Sequence, residues 1–259
     1  MAGPGDVSAG QPGVSLGDDA GDGLRIDILP DAGELARRGA EHVVSEARRA
    51  VARSGRAVLA FSGGSTPARM FAALAGESLP WSQIHVFQVD ERVAPDGDPD
   101  RNIGQIRSAL VEPGVLPEAN LHAMPVTAPD LRAAAAAYAE VLAAITGGVI
   151  DLVHLGLGDD GHTASWPPGD PVVDCEADVA VVGPYRGRVR MTVTPRLVNR
   201  ATRILWLVSG ADKAEALRRL VAGDPAVPAS RVRRRGAVLL ADRAAASLLS
   251  PASGPPRGR

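Results

Sequence analysis

The chain predicts one α/β domain with a mostly parallel sheet covered by helices on both faces. Three observations carry this. Apolar runs alternate with segments of helical period from residue 24 to about 250, the pattern of βαβ units. The runs are nearly continuous in Val, Leu, Ile and Ala, as strands buried on both faces require. Hydrophobic residues make up 45% of the 259 residues and aromatic ones only 3%, so a full core is available but must be aliphatic.

The elements follow in order. "LRIDIL" (24–29) is a short strand, and Asp31 can cap a helix running to about Arg53, with Leu35, Val43, Val44, Ala47 and Val51 on one face. "RAVLAF" (56–61) is the next strand, and Pro67 suits the first turn of a helix over 67–75. "IHVFQVD" (84–90) is a strand, followed by a loop rich in Pro, Asp and Gly and a helix near 102–110. The Ala-rich segment 130–145 is helical by propensity. "IDLVHLGLG", "ADVAVV" and "RVRMTV" read as strands. "TRILWLVSG" (202–210) is another, with a helix from Asp212 to Val221, and "GAVLLAD" and "RAAASLL" make the last strand and helix. Residues 1–23 and 251–259 have almost no large apolar side chains and are expected to be disordered flanks of a single domain over 24–250.

Composition excludes several classes. A net charge of −2 creates no field that favours nucleic acid or an anionic membrane. No apolar run approaches the roughly 20 residues of a membrane span, and the N-terminus lacks the basic start and apolar stretch of a signal peptide. A cytoplasmic protein is expected. The lone Cys175 has no disulfide partner and is expected to be inert.

In parallel sheets ligands bind beyond the carboxyl ends of the strands, so the turns there are the informative places. "FSGGSTP" (61–67) delivers Gly63 and Gly64, the hydroxyls of Ser65 and Thr66, and a helix start. That suits a phosphate, and it equally suits an ordinary capped junction. "QVDERVAP" (88–95) places Asp90, Glu91 and Arg92 where a strand stops. They can hold a sugar and an anion or simply meet water. "LGLGDDGHTAS" (155–165) puts Asp160 and His162 after two glycines. A histidine there can activate water with a carboxylate fixing its tautomer, or the stretch is an Asx-type turn with a surface histidine. "SGADKAEAL" (209–217) sets Lys213 in a first helical turn, against the helix dipole, which an adjacent anion would justify.

These stretches, with "RVRMTVTPRLVN", occur in an order that resembles the glucosamine-6-phosphate isomerase/6-phosphogluconolactonase family over about residues 25–248, on its lactonase side. The resemblance implies a fold like that of ribose-5-phosphate isomerase and the CoA-transferase-like proteins, a sugar-phosphate substrate, no cofactor and no metal. It implies hydrolysis of 6-phospho-D-glucono-1,5-lactone to 6-phosphogluconate in the oxidative pentose phosphate pathway. His162 would be the base, Asp160 and Asp90 would position base and sugar, and Gly63, Gly64, Ser65, Thr66, Arg92, Arg190 and Lys213 would bind phosphate. The deaminase side of the family needs a carboxylate base five residues after the histidine. That position here is Pro167, preceded by Trp166, and proline removes no proton. Trp166 and Pro167 are also expected to alter the wall of the site.

The rival readings are the isomerase–deaminase, a sugar-phosphate sensor and an inactive homologue. A sensor should carry a helix-turn-helix, which the Gly-rich extension cannot form. A monomer is expected, with no partner other than the substrate. His42 and His122 are expected at the surface. His85 and His154 lie inside strands and share no turn with His162, so no metal cluster is expected.

Overall fold

The structure, a computed structural model, describes residues 23–249 and the backbone of residues 14–16. The edge strand β1 (Val14–Leu16) pairs antiparallel with β2 (Leu24–Leu29), Leu16 opposite Ile26. Those three residues fall within the stretch 1–23 expected to be a disordered flank; the rest of that stretch, and the tail from 250, lie outside the described residues.

Helix α1 (Ala32–Ser54) begins at Asp31, whose carboxylate accepts the backbone N–H groups of Gly33 at 2.8 Å and Glu34 at 2.9 Å. Those donors would otherwise be left free by the first turn. Gly55 ends the helix in the left-handed region at φ 75°. Then come β3 (Ala57–Phe61), α2 (Ser65–Ala75), β4 (Ile84–Gln88), β5 (Asp90–Arg92), α3 (Asn102–Ile106), β6 (Leu121–His122) and α4 (Leu131–Thr146). The helix expected near 102–110 continues from α3 as a π-helical turn over Arg107–Val111. The chain closes with β7 (Leu152–Leu155), β8 (Val179–Tyr185), β9 (Arg188–Val193), α5 (Pro195–Arg200), β10 (Arg203–Val208), α6 (Ala214–Val221) and β11 (Ala237–Asp242). The expected last helix is only a 3-10 turn, Ala245–Leu248.

Among the described residues, the larger sheet runs β1-β2-β11-β10-β7-β3-β4-β6 and is parallel except at β1. Helices cover both faces. On one, Leu35 and Val43 of α1 and Phe71 and Leu74 of α2 pack on Leu59 and Leu205, and the Phe61 and Phe71 rings meet at 5.2 Å and 60°. On the other, Tyr138, Leu197 and Leu217 join Val153 and Trp206. Among the described residues, no helix is long and apolar enough to cross a membrane.

The order of the sheet locates a crevice. From β3 the chain steps outward through β4 to β6; from β7 it steps the other way through β10 to β11. Direction reverses between neighbours β3 and β7, so the turns leaving them diverge and open a space.

One expectation is corrected here. "IHVFQVD" is not a single strand. It breaks after Gln88, and Asp90–Arg92 joins a second, antiparallel sheet of order β5-β9-β8, with Asp90 opposite Thr192 and Arg92 opposite Arg190. Gln88 is fully buried, and its side chain donates to Glu91 and accepts the N–H of Met124, each at 2.8 Å. Val89 donates its N–H to Phe61 O at 2.9 Å. These bonds hold the chain as it turns off the parallel sheet. His42 and His122 are also half-buried rather than on the surface, and His122 is stacked on Phe87 at 4.3 Å.

Candidate active site

The turn after β3 brings its backbone close to a neighbour. A Cβ on Gly63 would lie 2.1 Å from Asn102 Oδ1, so no side chain fits. Gly64 sits at φ 128°, a conformation side chains rarely adopt, and donates its N–H to Gln105 Oε1 at 2.8 Å. The turn after β7 is as tight. A Cβ on Gly158 would lie 1.9 Å from His162 Nδ1, so the glycine makes room for the imidazole. Gly158 N donates to His162 O at 2.8 Å, closing the loop.

His162 is held by that loop and by the second sheet. Its Nδ1 lies 2.5 Å from Asp160 Oδ1, which also accepts the His162 backbone N–H at 3.1 Å. Tyr185, at the end of β8, donates its hydroxyl to Asp160 Oδ2 and lies 2.9 Å from His162 Nδ1. Burial works against the Asp160 charge, but the hydrogen bonds from Tyr185 and His162 outweigh it and hold the carboxyl well below its usual range. An ionised carboxylate only accepts, so Nδ1 carries the proton and Nε2 is the basic nitrogen.

The second sheet adds buried charge. Asp90 accepts the Ser165 hydroxyl at 2.6 Å and Asn102 Nδ2 at 3.3 Å, with Arg190 Nη1 4.0 Å away. Its pKa is raised by burial, which Ser165, Arg92 and Arg190 only partly offset. Beside it Glu91, fully buried, accepts the N–H groups of Arg92, Asn102 and Ile103 at 2.7–2.9 Å. That anchors α3 under the β3 turn. Across the crevice, Lys213 Nζ pairs with Asp212 at 3.0 Å, and Asp242 accepts Gly210 N at 3.1 Å to fix the turn after β10.

These groups converge on one cavity of about 240 Å³. It is lined by Gly63, Gly64, Ser65, Thr66, Asp90, Arg92, His162, Arg190 and Lys213, so the sequence-predicted residues meet at one place. Asp160 stands behind the lining, on His162. Sequence reasoning missed Asn102 and Arg186, which also line it, and Tyr185. Arg186 and Ala164, another lining residue, are non-glycine residues with φ of 49°, a strained conformation that clusters at functional sites.

The expected effect of Trp166 on the wall is corrected. Trp166 is fully buried, donates its indole N–H to Val193 O at 2.7 Å and belongs to the core beneath the cavity. Asp159, Asp160 and His162 place one ligand atom each within 4.8 Å of one another, a grouping not expected from the sequence. Their donors are already engaged: Asp159 pairs with the Arg186 guanidinium, and both Asp160 oxygens accept hydrogen bonds. A cation there would have to displace an arginine and a tyrosine, so these residues are a poor fit for a metal.

The chain matches the profile of the family described as glucosamine-6-phosphate isomerases/6-phosphogluconolactonase over residues 30–240. A 6-phosphogluconolactonase of Synechocystis is 38% identical over 237 residues, covering 88% of this chain and 99% of the relative. A 6-phosphogluconolactonase of Nostoc is 34% identical over 235 residues, covering 87% and 98%. The crystal structure of 6-phosphogluconolactonase from Thermotoga maritima superposes with a TM-score of 0.76 at 26% identity, covering 84% of this chain and 98% of the other.

Proposed function

The chain belongs to the glucosamine-6-phosphate isomerase/6-phosphogluconolactonase family, and we propose that it hydrolyses 6-phospho-D-glucono-1,5-lactone to 6-phosphogluconate with His162 as general base. The observation that carries the reading is the His162–Asp160 pair at 2.5 Å, on a turn that faces the cavity. It leaves Nε2 free to take a proton from water. The names and coverage of the relatives support lactone hydrolysis as the reaction.

On this reading Nε2 removes a proton as the water oxygen attacks the lactone carbonyl carbon. Backbone N–H groups of the glycine turns hold the oxyanion. The tetrahedral intermediate collapses, the bond from carbon to ring oxygen breaks, and imidazolium returns its proton to that oxygen. The products are a carboxylate and a free hydroxyl, with one proton released. A positioned base supplies roughly 10²–10⁴-fold, sufficient for an activated ester without a covalent nucleophile.

Gly63, Gly64, Ser65, Thr66, Arg92, Arg190 and Lys213 bind the phosphate on this proposal, and Arg186 adds a further cation at the cavity. Asp90 takes sugar hydroxyls. Pro167 stands where a deaminase needs its carboxylate, which favours hydrolysis over isomerisation. On this proposal the enzyme acts as a monomer in the cytoplasm.

The test is a coupled assay with freshly generated lactone, corrected for spontaneous hydrolysis, beside a deamination assay with glucosamine 6-phosphate. Accelerated lactone opening without deamination is the expected result. Deamination without lactone opening would overturn the proposal.

A further inference from the structure

Resting on His162 as the base, we propose that Tyr185 is a positioning residue of the reaction: its hydroxyl ties the free oxygen of Asp160 and so fixes both the tautomer and the aim of His162. Asp160 has two oxygens to satisfy. Oδ1 accepts from the His162 ring and backbone. With no donor on Oδ2 the carboxylate could swing, because terminal carboxylate torsions are broad. Tyr185 supplies that donor from a different sheet, at the tip of the β8–β9 hairpin.

Proton counting gives the tautomer. The tyrosine has one hydroxyl proton, and it goes to Asp160 Oδ2. The phenol oxygen, 2.9 Å from His162 Nδ1, is then left only as an acceptor. Nδ1 faces two acceptors, so it must carry hydrogen, and the lone pair lies on Nε2. The phenol keeps its proton across the working range, because burial and the Asp160 charge push it up to about 12.

The tyrosine is itself held. The Arg186 and Arg190 guanidinium groups lie 5.5 and 5.2 Å from its ring centroid, and Arg190 Nε donates to Tyr185 O at 3.3 Å. Arg186 follows it at a positive φ and pairs with Asp159. The charged and titratable groups around His162 are Asp159 and Asp160 on its own turn, Arg186 and Arg190 of the hairpin, Asp90 and Arg92 of β5, and Lys213 beyond β10.

The test is Tyr185→Phe, which keeps the ring and its arginine contacts. Without the hydroxyl, Asp160 has fewer donors and its charge falls more fully on the imidazolium. The acid limb of the kcat/KM profile should then move up by about half a pH unit, with kcat down about tenfold and KM within about twofold. A tyrosine that merely packs would leave the limb where it is. A limb that stays in place, or moves to lower pH, overturns the proposal whatever happens to kcat.

A second measurement needs no variant. Nitrogen-15 NMR of the wild-type imidazole should show His162 mainly as the Nδ1–H tautomer, and a majority Nε2–H form overturns the proposal. His162→Asn, assayed alongside, separates the two readings. Near-normal turnover in that variant removes the base and this inference together. An inactive asparagine variant with an unmoved limb in Tyr185→Phe removes the tyrosine alone.

Discussion

The parallel sheet brings glycine turns to the cavity beside its side chains, and the antiparallel sheet brings charged side chains. Gly63, Gly64, Gly156 and Gly158 line one part, at the ends of β3 and β7; Asp90, Arg92 and Arg190 line the other, from β5 and β9, with Arg186 in the turn before β9. The parallel strands are locked by a largely aliphatic core, so their ends can hold amides and one imidazole at fixed points. The antiparallel strands carry buried charges held by hydrogen bonds, as at Asp90 and Glu91. On the proposed reading this is a division of labour: the turns of the parallel sheet place the base, and the antiparallel sheet, with Lys213 after β10, supplies the charge for the substrate.

Changes in the first half should strike kcat. Gly158→Ala would place a methyl 1.9 Å from His162 Nδ1, so the ring must move. Displacing a reacting group by about 1 Å costs on the order of 10² in rate. Steady-state kinetics should therefore show kcat down roughly 10²–10³-fold with KM little changed. A Gly158→Ala enzyme with normal kcat would break the comparison on its parallel side.

Changes in the second half should strike stability or binding. Glu91→Gln turns one acceptor of a fully buried carboxylate into a donor facing backbone N–H groups and Arg101. A loss of about 3 kcal/mol is expected, read as a Tm fall of roughly 6–12 °C. An unchanged Tm would show that the buried charges do not hold this sheet. Lys213→Ala tests an exception on the parallel side, a charged side chain from the turn after β10. Losing a charge-assisted hydrogen bond, roughly 1.5–3 kcal/mol, should raise KM about 10- to 100-fold with a smaller effect on kcat. An unaltered KM would take Lys213 out of the phosphate set.

The smallest effect concerns the strand beneath the base. His154 of β7 is fully buried, and neither ring nitrogen has a hydrogen-bond partner among the described residues. Burial pushes its pKa down to about 3 from 6.5. Between those values the unfolded chain binds the extra proton, so stability is full above about 6.5 and is lost as pH falls toward 3. Each pH unit removes about 1.4 kcal/mol. Denaturant titrations at pH 7 and pH 5 should differ by about 2 kcal/mol from this group, and His154→Leu should remove that part of the difference. An equal slope in the variant would show that His154 is not the group responsible.

The same contrast explains what the sequence disclosed. The parallel half was legible because apolar runs, glycine turns and the Asp31 cap are local signals. The residues of "FSGGSTP" and "DDGH" were found there because strand ends are where such sheets bind ligands. Strand β5 was not legible: it consists of Asp90, Glu91 and Arg92, and hydrophobic periodicity cannot see a strand whose buried residues are charged. Tyr185 and Arg186 escaped because a β-hairpin 23 residues beyond His162 brings them back to it. Trp166 misled because sequence neighbours of a site residue need not face the site, and its indole turns into the core instead.

On the proposed mechanism His162, held by Asp160 on the turn after β7, takes the proton from the attacking water. Single-turnover and steady-state assays of His162→Asn against 6-phosphogluconolactone test it most directly, since asparagine keeps polarity but cannot accept that proton. A fall in kcat of roughly 10²–10⁴-fold is expected, the share of a positioned base, with KM within a few-fold because the proposed phosphate contacts come from other strand ends. Turnover close to that of the wild type would contradict it.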